Sequence, residues 1–308
     1  MSAPTTQHTL LRPNIIIPFA LTALIWGSTW FAIKDQLDAA PHSWSVTWRF
    51  VLAAIGMAVL VAIRRQHFRI GSSGQLFAAI FGVTQFCLNF NLLYRSEVYL
   101  TSGLVAVMFG LLMLPNALLA WIFLGQKVTG RFIAGTAVAV AGIALLLLHE
   151  ARTAPIGGTV GIGIALAACS ILAAAAANVM QASKWGHSLP LLPTLFWAMI
   201  WGALANVVLA WLVAGPPVLP MEPRYLAGVA FLGIFGSVVT FPLYFHLIRQ
   251  LGAGRAAYNG VVVPIIAMMW STLLEDYRWS ALSAAGAVLA LTGMVLALRA
   301  RKPSRNVG

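Results

Sequence analysis

Residues Gly103 to Leu148 read GLVAVMFGLLMLPNALLAWIFLGQKVTGRFIAGTAVAVAGIALLLL. Two long apolar runs flank a short polar turn at Gly125–Arg131, and Pro115 sits inside the first run. The same pattern returns at Gly254–Leu298, with Pro264 inside the run and Glu275-Asp276-Tyr277-Arg278 in the turn. A chain that repeats a helix pair of this kind is expected to hold two copies of one membrane unit.

Composition supports that reading. Sixty per cent of the residues are hydrophobic and 8% are charged, against about a quarter charged in a soluble domain. So few charges cannot cover a water-facing surface, and nearly all 308 residues are spent on spans. The net charge of +12 is scattered over short loops rather than gathered on one face, which argues against a nucleic-acid partner. Cys87 and Cys169 fall inside apolar runs and read as small packing residues, not as a disulfide framework or a metal site.

At about 20 apolar residues per span, ten segments emerge: 14–34, 44–63, 74–95, 99–124, 131–149, 157–182, 190–213, 224–248, 254–274 and 280–299. The first is long enough to span and lacks a small-residue cleavage site, so it is kept as a helix rather than a signal peptide. With the N-terminus in the cytoplasm, the inner segments hold thirteen Lys and Arg residues and the outer ones five, with Arg49 inside the second helix. That excess predicts both termini inside. All seven acids then fall in outer segments: Asp35, Asp38, Glu97, Glu150, Glu222, Glu275 and Asp276.

The internal repeat sharpens at a shift of 151, where Gly82, Gly103, Gly135 and Gly142 meet Gly233, Gly254, Gly286 and Gly293. Pro115/Pro264 and Gln126/Glu275 need a shift of 149, so small insertions separate the copies. An odd number of helices per copy makes the second copy enter the membrane upside down, the arrangement of many transporters. The expected fold is an all-α polytopic membrane protein of ten transmembrane helices in two inverted five-helix repeats. The parts are a cytoplasmic tail 1–13, a first repeat 14–149, an external linker 150–156, a second repeat 157–299 and a cytoplasmic tail 300–308.

The chain resembles the drug/metabolite transporter superfamily in its ten-helix EamA-type branch. The resemblance rests on Trp26-Gly27-Ser28-Thr29-Trp30-Phe31-Ala32-Ile33-Lys34, the Pro41 to Arg49 spacing, Pro115 to Lys127, and Pro264 to Glu275. The family usually has Gly-Glu-Arg or Gly-Glu-Lys where this chain has Gly125-Gln126-Lys127. That variant, with the many aromatics, is similar to the aromatic amino acid exporters of the branch. The resemblance implies metabolite export across a bacterial inner membrane and a central pathway built from helices such as 3, 6, 8 and 9.

No enzyme site assembles from the residues. His149-Glu150 begins a zinc-protease pattern, but Thr153 stands where the second ligand belongs. Gly71-Ser72-Ser73-Gly74 superficially matches an intramembrane serine protease, yet at the start of helix 3 a capping serine explains it better. No cofactor or metal is expected.

Candidate substrate contacts are the buried amides Gln85 and Asn89 on helix 3, Asn178 and Gln181 on helix 6, and Tyr258 and Asn259 on helix 9. Trp26, Trp30, Phe86, Met108, Phe241 and Tyr244 supply an apolar wall. Each amide could instead glue helices together, and each aromatic could instead face lipid or anchor at the interface, as Trp44, Trp48, Trp185 and Trp279 do by position. Arg49 could bind a substrate carboxylate, pair across helices, or snorkel outward. Pro115, Gly252, Gly254 and Pro264 are candidate hinges.

With no acid mid-membrane, cationic solutes are disfavoured and a carboxylate proton relay is missing. His246 is the alternative titrating group. The sequence therefore predicts export of amino acids, aromatic ones included, and of related neutral or zwitterionic metabolites, without proton coupling. The alternatives are a nucleotide-sugar or other metabolite carrier, and a non-transporting scaffold or receptor. The expected partners are a small-molecule substrate and the lipid bilayer, with the chain a monomer or weak homodimer.

Overall fold

The computed structural model describes residues 13–125, 129–153, 159–251 and 259–299. These are helical almost throughout, with no strand among the described residues. The main helices are α1 (Pro13–Gln36), α2 (His42–Ile63), α3 (Gly71–Ser96), α4 (Ser102–Leu124), α5 (Gly130–Thr153), α6 (Val160–Ala182), α7 (Leu191–Ala214), α8 (Pro223–Leu247), α9 (Asn259–Leu274) and α10 (Ala281–Arg299). Eight of them are long and apolar enough to cross a membrane, and α9 and α10 supply the shorter apolar stretches Val262–Leu274 and Ala281–Ala297. Large apolar side chains such as Leu212, Phe123 and Ile63 stand more than 70% exposed. Only a lipid surround makes so much exposed apolar area stable.

Helix ends follow local chemistry. Pro223 opens α8 at a position whose N–H has no helical partner to lose. Gly125 ends α4 at φ 66°, a left-handed conformation that glycine adopts without strain, and Asp276 turns the chain after α9 at φ 53°. The serines of Gly71-Ser72-Ser73-Gly74 do not cap α3. Ile70 stands at the cap position without a side-chain hydrogen bond, and the Ser73 hydroxyl accepts from Trp185 Nε1 at 3.0 Å.

Three helices depart from regular α geometry. In α3 the residues Val83–Asn89 form a π-helical segment, and in α8 the residues Phe231–Val239 do the same. The helix α4 breaks at Leu111–Leu112 and resumes at Met113. Pro115 therefore sits in the first turn of the resumed helix, where its missing N–H costs little. The sequence alone places the kink at the proline; the chain makes it just upstream.

Packing pairs the helices in a crossed pattern. The helix α2 packs on α7 and on the π segment of α8, and α7 packs also on α3; α9 lies between α1 and α4, and α6 lies against α3 and α4. The helices α5 and α10 lie against each other along their length. Their contact is made of glycine: a Cβ at Gly142 would run into the Ala290 nitrogen, and one at Gly293 into the Ala139 nitrogen. Small residues of this kind let helix backbones approach closely in lipid.

Candidate functional site

A cavity of about 150 Å³ lies between α1, α2, α3, α4, α6, α8 and α9. At about 30 Å³ per liquid water, it holds roughly five waters or one small solute in their place. The wall is largely apolar and is interrupted by Arg49, Gln85, Asn89, Asn178 and Asn259.

The helix α1 contributes Trp26 and Trp30, spaced four apart and so on one face. Trp26 packs on Tyr244 and Phe241 at centroid distances of 4.9 and 5.7 Å, and its indole N–H reaches the Gly236 carbonyl at 3.4 Å. Trp30 meets Phe109 at 5.0 Å, and its buried N–H has no partner within the protein. These tryptophans are cavity walls. The belt tryptophans behave differently: Trp44, Trp48, Trp185 and Trp279 each donate the indole N–H to a polar atom near a helix end. Trp197 and Trp201 likewise donate to Phe68 O and Gln75 Oε1, away from the cavity.

The π segment of α3 places Gln85 and Asn89 on the cavity wall. A π turn leaves carbonyls off the regular ladder, where side chains can reach them. Asn206 Nδ2 donates to Phe86 O at 2.9 Å, and Ser170 Oγ lies 2.8 Å from both Asn89 O and Asn89 Oδ1. Asn91 joins Asn206 at 2.7 Å. Asn91 and Asn206 are therefore helix glue, whereas Gln85 Oε1 keeps no partner within the protein.

On α9, Asn259 Nδ2 donates to Thr22 Oγ1 at 2.7 Å, which fixes the amide orientation and leaves Oδ1 unpartnered. Asn178 on α6 lines the cavity and approaches Asn116 Oδ1 at 3.4 Å. Pro264 lines it as well and removes the helical bond to the Gly260 carbonyl. Gly110, opposite, has no side chain to cover that carbonyl.

Nine of the sequence candidates thus meet at one cavity: Trp26, Trp30, Gln85, Asn89, Asn178, Phe241, Tyr244, Asn259 and Pro264. Phe86, Met108 and Gln181 are not on its surface. Phe86 sits behind the wall, packed on Phe50, Phe81 and Phe241; Met108 is 5% exposed in the core, and Gln181 Nε2 is buried without a partner. Tyr258, Gly252 and Gly254 lie outside the described residues, as do Gln126 and Lys127. His246 is an exposed residue of α8 that does not line the cavity.

Burial decides the reading of one charged group and overturns that of another. Arg49 does not snorkel: it is 2% exposed and lies in the cavity wall. Glu97, placed by sequence in a water-facing turn, is fully buried, and neither carboxylate oxygen has a hydrogen-bond partner. Its burial follows from a closure at that end of the bundle, where the Lys34 ammonium reaches back to the Glu97 and Leu100 carbonyls. A single acid followed by Val98 and Tyr99 carries no sequence signal for this.

Apolar helices turned outward around a buried, partly polar cavity define a polytopic membrane protein with an internal solute site. The chain belongs to the EamA-like transporter family, whose profile matches residues 14–148 and 161–299. It is a membrane transporter of that family. It is 25% identical to protein PagO of Salmonella typhimurium, over 96% of this chain and 95% of the relative. It is 23% identical to a probable amino-acid metabolite efflux pump of Escherichia coli, over 92% and 95%. A solved crystal structure shares the fold at a TM-score of 0.67 and 17% identity, covering 91% of this chain and 95% of that one.

Proposed function

We propose that this transporter exports amino acids, aromatic ones included, and related zwitterionic metabolites through the central cavity. The observation that carries the proposal is the set of unpartnered polar atoms in an otherwise apolar wall. Gln85 Oε1 and Asn259 Oδ1 accept, as an ammonium requires, and Trp30 Nε1 donates, as a carboxylate requires. Tryptophan faces add cation–π attraction for the ammonium and an apolar bed for a bulky side chain. The kinship to an amino-acid metabolite efflux pump supports the same substrate class.

The mechanism is alternating access between two inverted five-helix repeats, 14–149 and 157–299, joined by an outer linker at 150–156, in an inner membrane with both termini cytoplasmic. The crossed packing supports it: α2 meets α8 as α7 meets α3, and α9 meets α1 as α4 meets α6, pairings that a two-fold relation between halves would produce. Flux is uncoupled from protons in this reading, which is supported by the lack of Asp or Glu among the described residues lining the cavity.

A cysteine at Asn178, in a background lacking Cys87 and Cys169, tests the site. It is expected to react with a water-soluble thiol reagent and to be protected by millimolar phenylalanine. An inert cysteine would contradict a solvated cavity, and a reactive one that no amino acid protects would contradict the substrate class.

A further inference from the structure

Arg49 is a buried cation in the cavity wall, and among the described residues no carboxylate is in ion-pair contact with it, Glu97 acting on it only from beyond that distance. Among the described residues the ion pair found is the exposed Arg224–Asp35 bridge at the molecular periphery. The guanidinium is held by neutral groups instead. Nε donates to Ser237 Oγ at 3.2 Å, Nη2 to Gly236 O at 3.3 Å, and Nη1 reaches Tyr94 Oη at 3.5 Å. Its face lies over the Phe90 ring at 4.4 Å. These contacts fix the plane and neutralise nothing.

A guanidinium has five N–H donors, so two remain beyond the three contacts above. Gly236 and Ser237 belong to the π segment of α8, whose irregular backbone offers the carbonyl that orients the group. A purely architectural tie between α2 and α8 would need only neutral hydrogen bonds, and a buried full charge is a costly way to make them. Planar, fixed and unpaired, the group suits a carboxylate, which takes two parallel N–H donors from one guanidinium.

Resting on the amino-acid reading above, we propose that Arg49 is the specificity-determining residue of the cavity and binds the substrate carboxylate. The Trp30 N–H in the same wall is a further donor for that group. Solutes that keep the side chain and ammonium but lack the carboxylate are excluded. Three small ligands separate the requirements: phenylalanine, phenylalaninamide without the carboxylate, and 3-phenylpropionate without the ammonium.

The experiment is ligand-induced thermal stabilisation of the purified protein in detergent, for wild type, Arg49→Gln and Arg49→Lys. Wild type is expected to be stabilised by phenylalanine and 3-phenylpropionate and not by phenylalaninamide. Arg49→Gln should weaken phenylalanine binding by about tenfold or more, the worth of a charge-assisted hydrogen bond. Arg49→Lys should keep the preference for the carboxylate at reduced affinity, which carries the test if the Gln variant does not fold. Equal stabilisation of wild type by phenylalanine and phenylalaninamide would overturn the role of Arg49 and leave the amino-acid reading standing. Stabilisation by 3-phenylpropionate alone would keep the role and sink the amino-acid reading. Stabilisation by none of the three, or an Arg49→Gln variant that binds phenylalanine like wild type, would also overturn the role.

Discussion

Both carboxylate oxygens of Glu97 are buried without a hydrogen bond, and burial, with the nearby Glu275 carboxylate adding to it, pushes its pKa well above the ordinary carboxylate value. Lys34 and Arg49 pull the other way and are outweighed. Burial therefore favours the neutral acid at Glu97 in the fold. An acid raised in this sense stabilises the folded state fully below its unfolded pKa, about 4.3, and that stabilisation is lost as pH rises through the folded value. The melting temperature of the purified protein is expected to fall as pH rises across that window, and Glu97→Gln, which mimics the neutral acid, should flatten the curve. An unchanged slope in the variant would contradict the assignment. Residue chemistry was only half legible in the sequence. Helical spacing put Trp26 with Trp30 and Gln85 with Asn89 on shared faces, and all four line the cavity, but whether Arg49 turns inward depends on the Gly236 carbonyl of a helix 187 residues away. No local pattern encodes that contact.

At the scale of the element, the two π segments occupy corresponding places in α3 and α8, and each presents carbonyls to a polar side chain of a neighbour: Asn206 on Phe86 O, Arg49 on Gly236 O. Such segments are invisible to hydropathy, which sees only an uninterrupted apolar run. The repeated glycines were legible, and their use is now plain. Gly135 and Gly142 on α5 face Ala297, Ala290 and Gly286 on α10, and Gly293 faces Ala139. A leucine at Gly142 must force those backbones apart. Overpacking of this kind costs about 1–3 kcal/mol, so Gly142→Leu should lower the melting temperature while leaving the affinity of the distant cavity for its solute unchanged. A variant as stable as wild type would show that the α5–α10 contact is looser than drawn.

For the whole molecule, composition alone specified a membrane protein, and the period of the apolar runs gave the helices to within a few residues. The chief differences are the α4 break, displaced from Pro115 to Leu111–Leu112, and the end of α5 at Thr153 rather than 149. The cavity needed the fold, because its lining comes from seven helices that the chain order keeps far apart. The proposed function requires this cavity to carry zwitterions across the membrane without protons. Counterflow of labelled phenylalanine in proteoliposomes, with equal total solute on both sides and with or without a pH gradient, tests it most directly. Saturable counterflow at the same rate with and without the gradient is the predicted result. Counterflow that appears only with the gradient, or none for any amino acid, would contradict it.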